Sequence, residues 1–306
     1  MEYITHQITL KDSDMRLDRF LRNTYPHLIQ GRIEKSLRKG LIKLNGKKAE
    51  SKDRTKEGDE ITLPISLTVN DRTEEEKQTN SKPKITEKKR KFLIDSILYK
   101  DDDIIIINKP IGLSVQGGSG IHTSVDDMLD YLQFDEEERP KLTHRLDKDT
   151  SGVLILARNR KAAQRIAEYF KTDQIQKFYW AVCAGEPKHK MGVINHPIIV
   201  DGEKKEAITE YRLIDYLHKR ASFIEFKLIT GRKHQIRIHA SQVLNTPIVG
   251  DGKYGGEAAF IDGINIKLHL HARRVIFKDK GKLIDVTAPL HPHLIETFRV
   301  CGFEGK

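Results

Sequence analysis

His144-Arg145-Leu146-Asp147-Lys148-Asp149-Thr150-Ser151-Gly152 is a charged, turn-rich stretch that leads without a break into the apolar run Val153 to Ala157. A short apolar run bounded by glycine and polar residues reads as a buried strand. The stretch therefore sets an acid, Asp147, at a strand edge beside the guanidinium of Arg145. A neighbouring cation favours the ionised form of a carboxylate, which makes Asp147 the candidate nucleophile or base. The same residues also fit a surface Arg–Asp pair that merely closes a loop, because charged pairs occur in structural networks as well.

Downstream of that strand, Lys161 to Lys171 reads as a helix with Ala163, Ile166, Ala167 and Phe170 facing inward. Phe178 to Ala184 returns as a strand carrying Tyr179, a residue whose ordinary work in a strand is cross-strand packing. Thr209 to Ile214 and Ser222 to Leu228 alternate as antiparallel strands should. Thr230 to His239 reads as a turn feeding a helix whose first turns hold several positive groups, a place for an anion or simply an exposed helix start. Leu268 to Phe277 and Lys282 to Thr287 supply two further strands, and a C-terminal helix lies around His293 to Val300.

Upstream, Ile104 to Ile107 is a buried strand whose exit is Asn108-Lys109-Pro110. Val115-Gln116-Gly117-Gly118-Ser119-Gly120 lacks both the dinucleotide-binding spacing and the Lys-Ser/Thr of a P-loop, so a tight loop beside the active site is expected instead of a nucleotide cofactor. Ser124 to Leu132 is a short amphipathic helix. Pro187 to Glu206 carries no diagnostic pattern.

The 306 residues suffice for two or three domains, and a net charge of +10 points to a polyanionic partner. Cys183 and Cys301 are too few for a disulfide framework and lack metal-ligand spacing, which suits a reducing cytoplasm. No apolar segment is long enough for a signal peptide or a membrane span. His234 and His239 fall on different helical faces, His269 and His271 alternate on a strand, and no HExxH or CxxC occurs, so no metal is expected. Ser151 lacks the elbow of a serine nucleophile and reads as a backbone cap.

Residues 15 to 65 form a basic module of two helices followed by strands. Asp14 is the expected N-cap of the first helix, with Leu17, Phe20 and Leu21 on its apolar face. In the second, Ile29, Ile33 and Leu37 form the apolar stripe, and Arg32, Lys35, Arg38 and Lys39 lie off it. With Ile42-Lys43-Leu44-Asn45-Gly46 behind it, the module resembles the S4 RNA-binding domain, which implies an α/β fold and RNA contact through that basic face. Residues 66 to 91 lose apolar periodicity and read as a flexible linker ending in Lys88-Lys89-Arg90-Lys91. A second domain then spans 92 to 306.

Together, the opening motif, Lys177-Phe178-Tyr179-Trp180-Ala181, Gly231-Arg232-Lys233-His234-Gln235-Ile236-Arg237 and Pro247-Ile248-Val249-Gly250-Asp251 resemble the RluA family of RNA pseudouridine synthases. The resemblance implies an α+β catalytic domain with a mixed, mostly antiparallel sheet and its active site in a cleft, acting on uridines of large-subunit ribosomal RNA. It implies Asp147 as the catalytic aspartate and Tyr179 as the tyrosine that packs on the target base and assists a proton transfer. It further implies Arg237 as the basic residue pairing with the aspartate and Arg145 as the arginine that helps extrude the nucleotide. Arg232 and His234 complete the substrate-binding set.

The implied reaction breaks the bond from ribose C1′ to N1, rotates the uracil and rejoins it through C5. A carboxylate serves it either by attacking C1′ or by taking a proton from the sugar. No redox step or group acceptor is involved, so no cofactor is expected, and the nucleotide must be flipped out of its stack. A cytoplasmic monomer bound to ribosomal RNA is the expected state. Two other readings stand beside it, a non-catalytic ribosome-assembly factor and a nucleic-acid N-glycosylase that uses Asp147 with water.

Overall fold

Four consecutive isoleucines, Ile104 to Ile107, can all be buried only in a strand with hydrophobic layers on both faces, and all four are fully buried. The computed structural model describes residues 2–28, 30–68, 87–117, 123–200 and 202–304. The chain divides into two compact units, Met1–Ser81 and Lys82–Lys306.

In the first unit, β1 (Tyr3–Gln7), β2 (Lys43–Leu44), β3 (Lys47–Lys48) and β4 (Glu60–Pro64) form a four-stranded sheet in the order β1-β4-β2-β3. Asn45 and Gly46, at φ 50° and 74°, make the tight turn between β2 and β3. Helices α1 (Leu17–Thr24) and α2 (Gln30–Arg38) bury Leu17, Phe20, Leu21, Ile33 and Leu37 against Ile61 and Leu63 of β4. The sheet begins well before residue 15, with β1, an edge strand exposed along most of its length whose residues show no alternation. Asp14 is not the helix cap. Arg16 takes that position without a side-chain bond, while Asp14 sits at φ 56° and pairs with Arg54 at 2.8 Å. Arg32, Lys35, Arg38 and Lys39 are all exposed, and Ile29 lies outside the described residues.

Helices occupy both ends of the expected linker, α3 (Ile65–Thr68) and α4 (Glu87–Asp95), and 69–86 lie outside the described residues. The second unit accordingly starts its first helix ahead of Phe92. The Lys88–Lys91 run masks the periodicity of α4, which anchors itself through fully buried Leu93.

The second unit is built on a ten-stranded sheet. Its strands are β5 (Ile97–Lys100), β6 (Ile104–Lys109), β7 (Lys141–Leu142), β8 (Ser151–Ala157), β9 (Gln176–Ala184), β10 (Met191–Asn195), β13 (Ile208–Leu217), β14 (Ala221–Leu228), β15 (Leu270–Asp279) and β16 (Lys282–Thr287), with a separate hairpin of β11 (Ile198–Val200) and β12 (Glu203–Lys205). The order β10-β13-β14-β9-β15-β8-β6-β5, with β16 beside β15 and β7 beside β8, is antiparallel except where β15 meets β8. The architecture is α+β with a mixed, mostly antiparallel sheet.

Alternation along β6 and β8 assigns the two layers. Ile105, Ile107, Leu154 and Leu156 pack with Leu93 and with Val125 and Met128 of α5 (Val125–Met128). Ile104, Ile106, Val153 and Ile155 pack on the other face with Ile166 of α6 (Arg160–Lys171) and Phe277. On α6 the buried stripe runs through Ala162 and Ile166, and Ala167, expected inward, is exposed. The expected helix from Ser124 to Leu132 is α5 followed by a 3-10 turn, started by a capping box between Ser124 and Asp127. Ile224 and Phe226 pack with Ile236, and Phe223 packs with Leu294 and Phe298 of the C-terminal helix, Pro292–Cys301.

Gly152 lies where β8 crosses β15. Its φ is +110°, and a Cβ there would stand 2.2 Å from the Ala272 carbonyl oxygen. Only glycine permits both this backbone and this approach. Ser151 is buried with its hydroxyl 2.9 Å from Nδ1 of His271. Both cysteines are buried and free. Among the described residues no group of three or more His, Cys, Asp or Glu is arranged to hold a metal ion, and no helix is long and apolar enough to cross a membrane.

Candidate active site

The loop from β7 to β8 carries Asp147 and is tied at both ends. Thr143 Oγ1 donates to the Ile155 carbonyl at 2.7 Å, and His144 Nε2 accepts the Ile155 N–H at 2.9 Å, extending the β7–β8 ladder with side-chain atoms. Burial, with the Lys177 charge behind it, pushes His144 down to about 3, so the ring is the neutral acceptor that this bond requires. At the far end Thr150 N–H bonds the Asp147 carbonyl at 3.1 Å and Leu146 is buried beneath.

The middle of the loop is held from within by Lys109. This lysine is wholly buried, and its ammonium donates to the carbonyls of Pro110, Leu113 and Lys148 at 2.9, 2.8 and 3.1 Å. Burial pushes it down to about 7, and the nearby Asp149 and Asp147 carboxylates act in the opposite sense. Lys109→Met should strand buried carbonyls, at about 1–3 kcal/mol each, and free the loop. We expect a lower urea midpoint together with at least a roughly ten-fold fall in kcat; unchanged values for both would show that the ammonium does not hold the loop.

Asp147 faces a cleft of about 530 Å³ also lined by Arg145, Tyr179, Arg232, His234 and Arg237. A second cleft of about 350 Å³ shares Asp147, Arg145, His234 and Arg237 and is walled by Gln116 and Gly117. The start of the glycine-rich loop therefore borders Asp147, while Gly118 to Gly120 lie outside the described residues. Arg145 is exposed and lines both clefts. Burial, reinforced by the Asp147 charge, raises the Tyr179 phenol well above its ordinary range, so it stays protonated.

The helix expected from the turn at Thr230 is only α7 (Gln235–Ile238), continued by a π-helical turn, His239–Val243. Arg232, Lys233 and His234 precede it in a loop because His234 adopts a left-handed conformation, φ 58° and ψ 21°. Gln235 clamps that loop. Its Oε1 accepts from Thr230 Oγ1 at 2.8 Å and Arg232 N–H at 2.9 Å, while its Nε2 donates to Ile208 O and Thr209 Oγ1.

Arg237 does not form its ion pair with Asp147. Its Nε and Nη2 grip buried Asp251 at 2.8 and 2.6 Å, and its guanidinium lies over the Tyr254 ring at 5.1 Å. Asp147 still lies near enough to favour the Arg237 charge, after burial and the larger effect of Asp251. The direct neighbour of Asp147 is His234, with Nε2 3.5 Å from Oδ1. The bidentate fork fixes the guanidinium on one carboxylate, and Gly250 delivers that carboxylate. At φ +82° it passes so close to Lys267 that a Cβ would stand 2.1 Å from the carbonyl oxygen. Asp251 and Tyr254 are the site residues that pattern reading passed over, although Gly250-Asp251 was visible as a motif.

The arrangement, an acid held on a fixed loop beside a protonated phenol and several cations in an open cleft, is shaped for a polyanion with a planar group. Comparison with known proteins agrees. The family described as RNA pseudouridylate synthase matches residues 103–242. The ribosomal large subunit pseudouridine synthase C of Rickettsia felis is 37% identical over 94% of this chain and 96% of its own length.

The chain belongs to the RluA family of RNA pseudouridine synthases. The corresponding Rickettsia bellii enzyme is 39% identical over 90% of this chain and 94% of its own length. Among solved structures, human RNA pseudouridylate synthase domain containing 4 superposes with a TM-score of 0.59 at 28% identity, covering 69% of this chain and 94% of that one. As a pseudouridine synthase the chain is an isomerase.

Proposed function

We propose that this synthase converts uridines of large-subunit ribosomal RNA to pseudouridine, with Asp147 acting on the ribose of a flipped nucleotide. The observation that carries the reading is the convergence of Asp147, Tyr179, Arg145 and Arg237 on one cleft of about 530 Å³, in a chain whose relatives are named for the large ribosomal subunit. In this reading Tyr179 receives the base by stacking and, being protonated, offers a hydrogen bond. Exposed Arg145 enters the space that the nucleotide leaves. Arg237, fixed by Asp251, supplies positive charge near the carboxylate, and Arg232 and His234 border the bound nucleotide. In this reading the enzyme works as a cytoplasmic monomer on ribosomal RNA. The chemistry calls for no cofactor.

We further propose that the first unit is an S4-like RNA-binding domain whose Arg32, Lys35, Arg38 and Lys39 contact phosphates, raising the effective concentration of RNA at the catalytic unit. The test is pseudouridine mapping of ribosomal RNA from cells with and without the protein. One or more large-subunit positions should depend on it, and should recover more weakly when Arg32→Glu and Lys35→Glu are combined. An unchanged map defeats the assignment, and free uracil released from RNA would identify an N-glycosylase.

A further inference from the structure

We propose that Tyr254 is a positioning residue for Asp147: its hydroxyl donates to Nδ1 of His234 and so keeps the imidazole proton on Nε2, facing the carboxylate. The proposal rests on Asp147 as the reacting group, as set out above.

For a neutral imidazole the geometry leaves one consistent assignment of protons. Tyr254 Oη lies 2.8 Å from His234 Nδ1, and His234 Nε2 lies 3.5 Å from Asp147 Oδ1. A neutral imidazole carries a single N–H, placed by the partner of the other nitrogen. A tyrosine hydroxyl can donate or accept, whereas an ionised carboxylate only accepts. A proton on Nδ1 would turn the Nε2 lone pair towards a carboxylate oxygen, two acceptors face to face. The proton therefore belongs on Nε2, and Tyr254 must donate.

Independent features fix the pair in place. Left-handed backbone at a non-glycine residue costs about 1–3 kcal/mol and persists where its surroundings enforce it. His234 holds such a conformation at φ 58°, and it aims the ring between Tyr254 and Asp147. Tyr254 is held in turn through its backbone, N–H to Asp251 Oδ1 at 3.3 Å and carbonyl from Ser241 Oγ at 2.6 Å. Its ring meets that of His234 edge-on at 5.5 Å. Asp251 thus orients Arg237 and Tyr254 at once.

His234 is faced by Asp147 from the catalytic loop, Arg237 from α7, Lys233 from its own loop, and Lys253 and Tyr254 from the turn after Asp251. Burial lowers its proton affinity first, Asp147 opposes this, and the cations Arg237, Lys253 and Lys233 lower it further, so the net shift is downward. The consequence is an uncharged N–H beside Asp147. It can orient the carboxylate while leaving its negative charge for the chemistry, which an imidazolium in contact would partly neutralise.

The test is nitrogen NMR of the full-length protein with labelled histidines, His234 being assigned by its loss in His234→Gln. The wild type should show the Nε2–H tautomer at neutral pH, and the Nδ1–H tautomer would overturn the proposal without any variant having to fold. Tyr254→Phe removes a bond that favours neutral imidazole, so His234 should titrate at higher pH. The acid limb of kcat should move up with it, and kcat should fall about ten-fold with KM within about two-fold. A merely structural tyrosine would lower activity by the same factor at every pH and leave the His234 titration in place, which would also overturn it. His234→Gln, which keeps an N–H near the Nε2 position but does not titrate, should retain more activity than His234→Leu and lose the shift. Activity surviving Asp147→Asn would defeat the assignment of the reacting residue while leaving the tautomer result standing, so the two failures are distinguishable.

Discussion

Asp147→Asn should abolish pseudouridine formation, with a fall of roughly 10⁴-fold or more, the scale seen when a group that reacts covalently or takes the key proton is removed. The change is nearly isosteric, and Lys109 holds the loop through the Lys148 carbonyl rather than through the Asp147 side chain. Folding should therefore persist. RNA affinity should be equal or higher, because a negative charge has been removed from a cleft that receives a polyanion. Tritium release from RNA labelled at uridine C5 measures the chemistry, and filter binding measures the affinity. Near-normal release from the variant would remove Asp147 from the mechanism, whereas lost binding would mean that the substitution acts through structure.

Gly152→Ala is expected to have the largest effect on the fold. The added methyl would meet the Ala272 carbonyl oxygen at 2.2 Å and the adjoining backbone at 2.7 Å, with φ at +110°. Backbone on both sides cannot rotate away as a flexible side chain would. A loss of roughly 4 kcal/mol or more is expected, in the range that marks strain at a special backbone position. For a unit of this size that corresponds to a drop of about 10 °C in Tm, measurable by calorimetry of the whole chain. Because β8 begins within the catalytic motif, activity should fall in parallel. A variant with wild-type Tm would show that the two strands do not approach as described.

Much of this was legible in the sequence. The unbroken apolar runs Ile104 to Ile107 and Val153 to Ala157 mark buried strands, and the resemblance of the motifs around Asp147, Tyr179 and Arg237 to one family implied a shared site. What was not legible has physical causes. Lysine is almost never fully buried, so Lys109 read as part of a strand exit instead of the internal anchor of the loop. Arg237 could have paired with either of two acids. The choice of Asp251 depends on a left-handed glycine whose close approach to Lys267 is a tertiary fact. Strand β1 is exposed along one edge and shows no period, and the Lys88–Lys91 run hides the helix that it begins.

Strand β15 joins the two halves of the large sheet, lying between β9 on one side and β8 on the other. It is also among the last strands made. As the chain leaves a ribosome, β5 to β8 and β9 to β14 can each pair locally, yet the seam between them stays open until residues beyond Asp279 have emerged. Long-range closure of this kind is slow and comes late in folding. The glycine at the foot of the Asp147 loop is locked only by that closure, so a nascent or prematurely terminated chain should expose RNA-attracting surface without catalytic power.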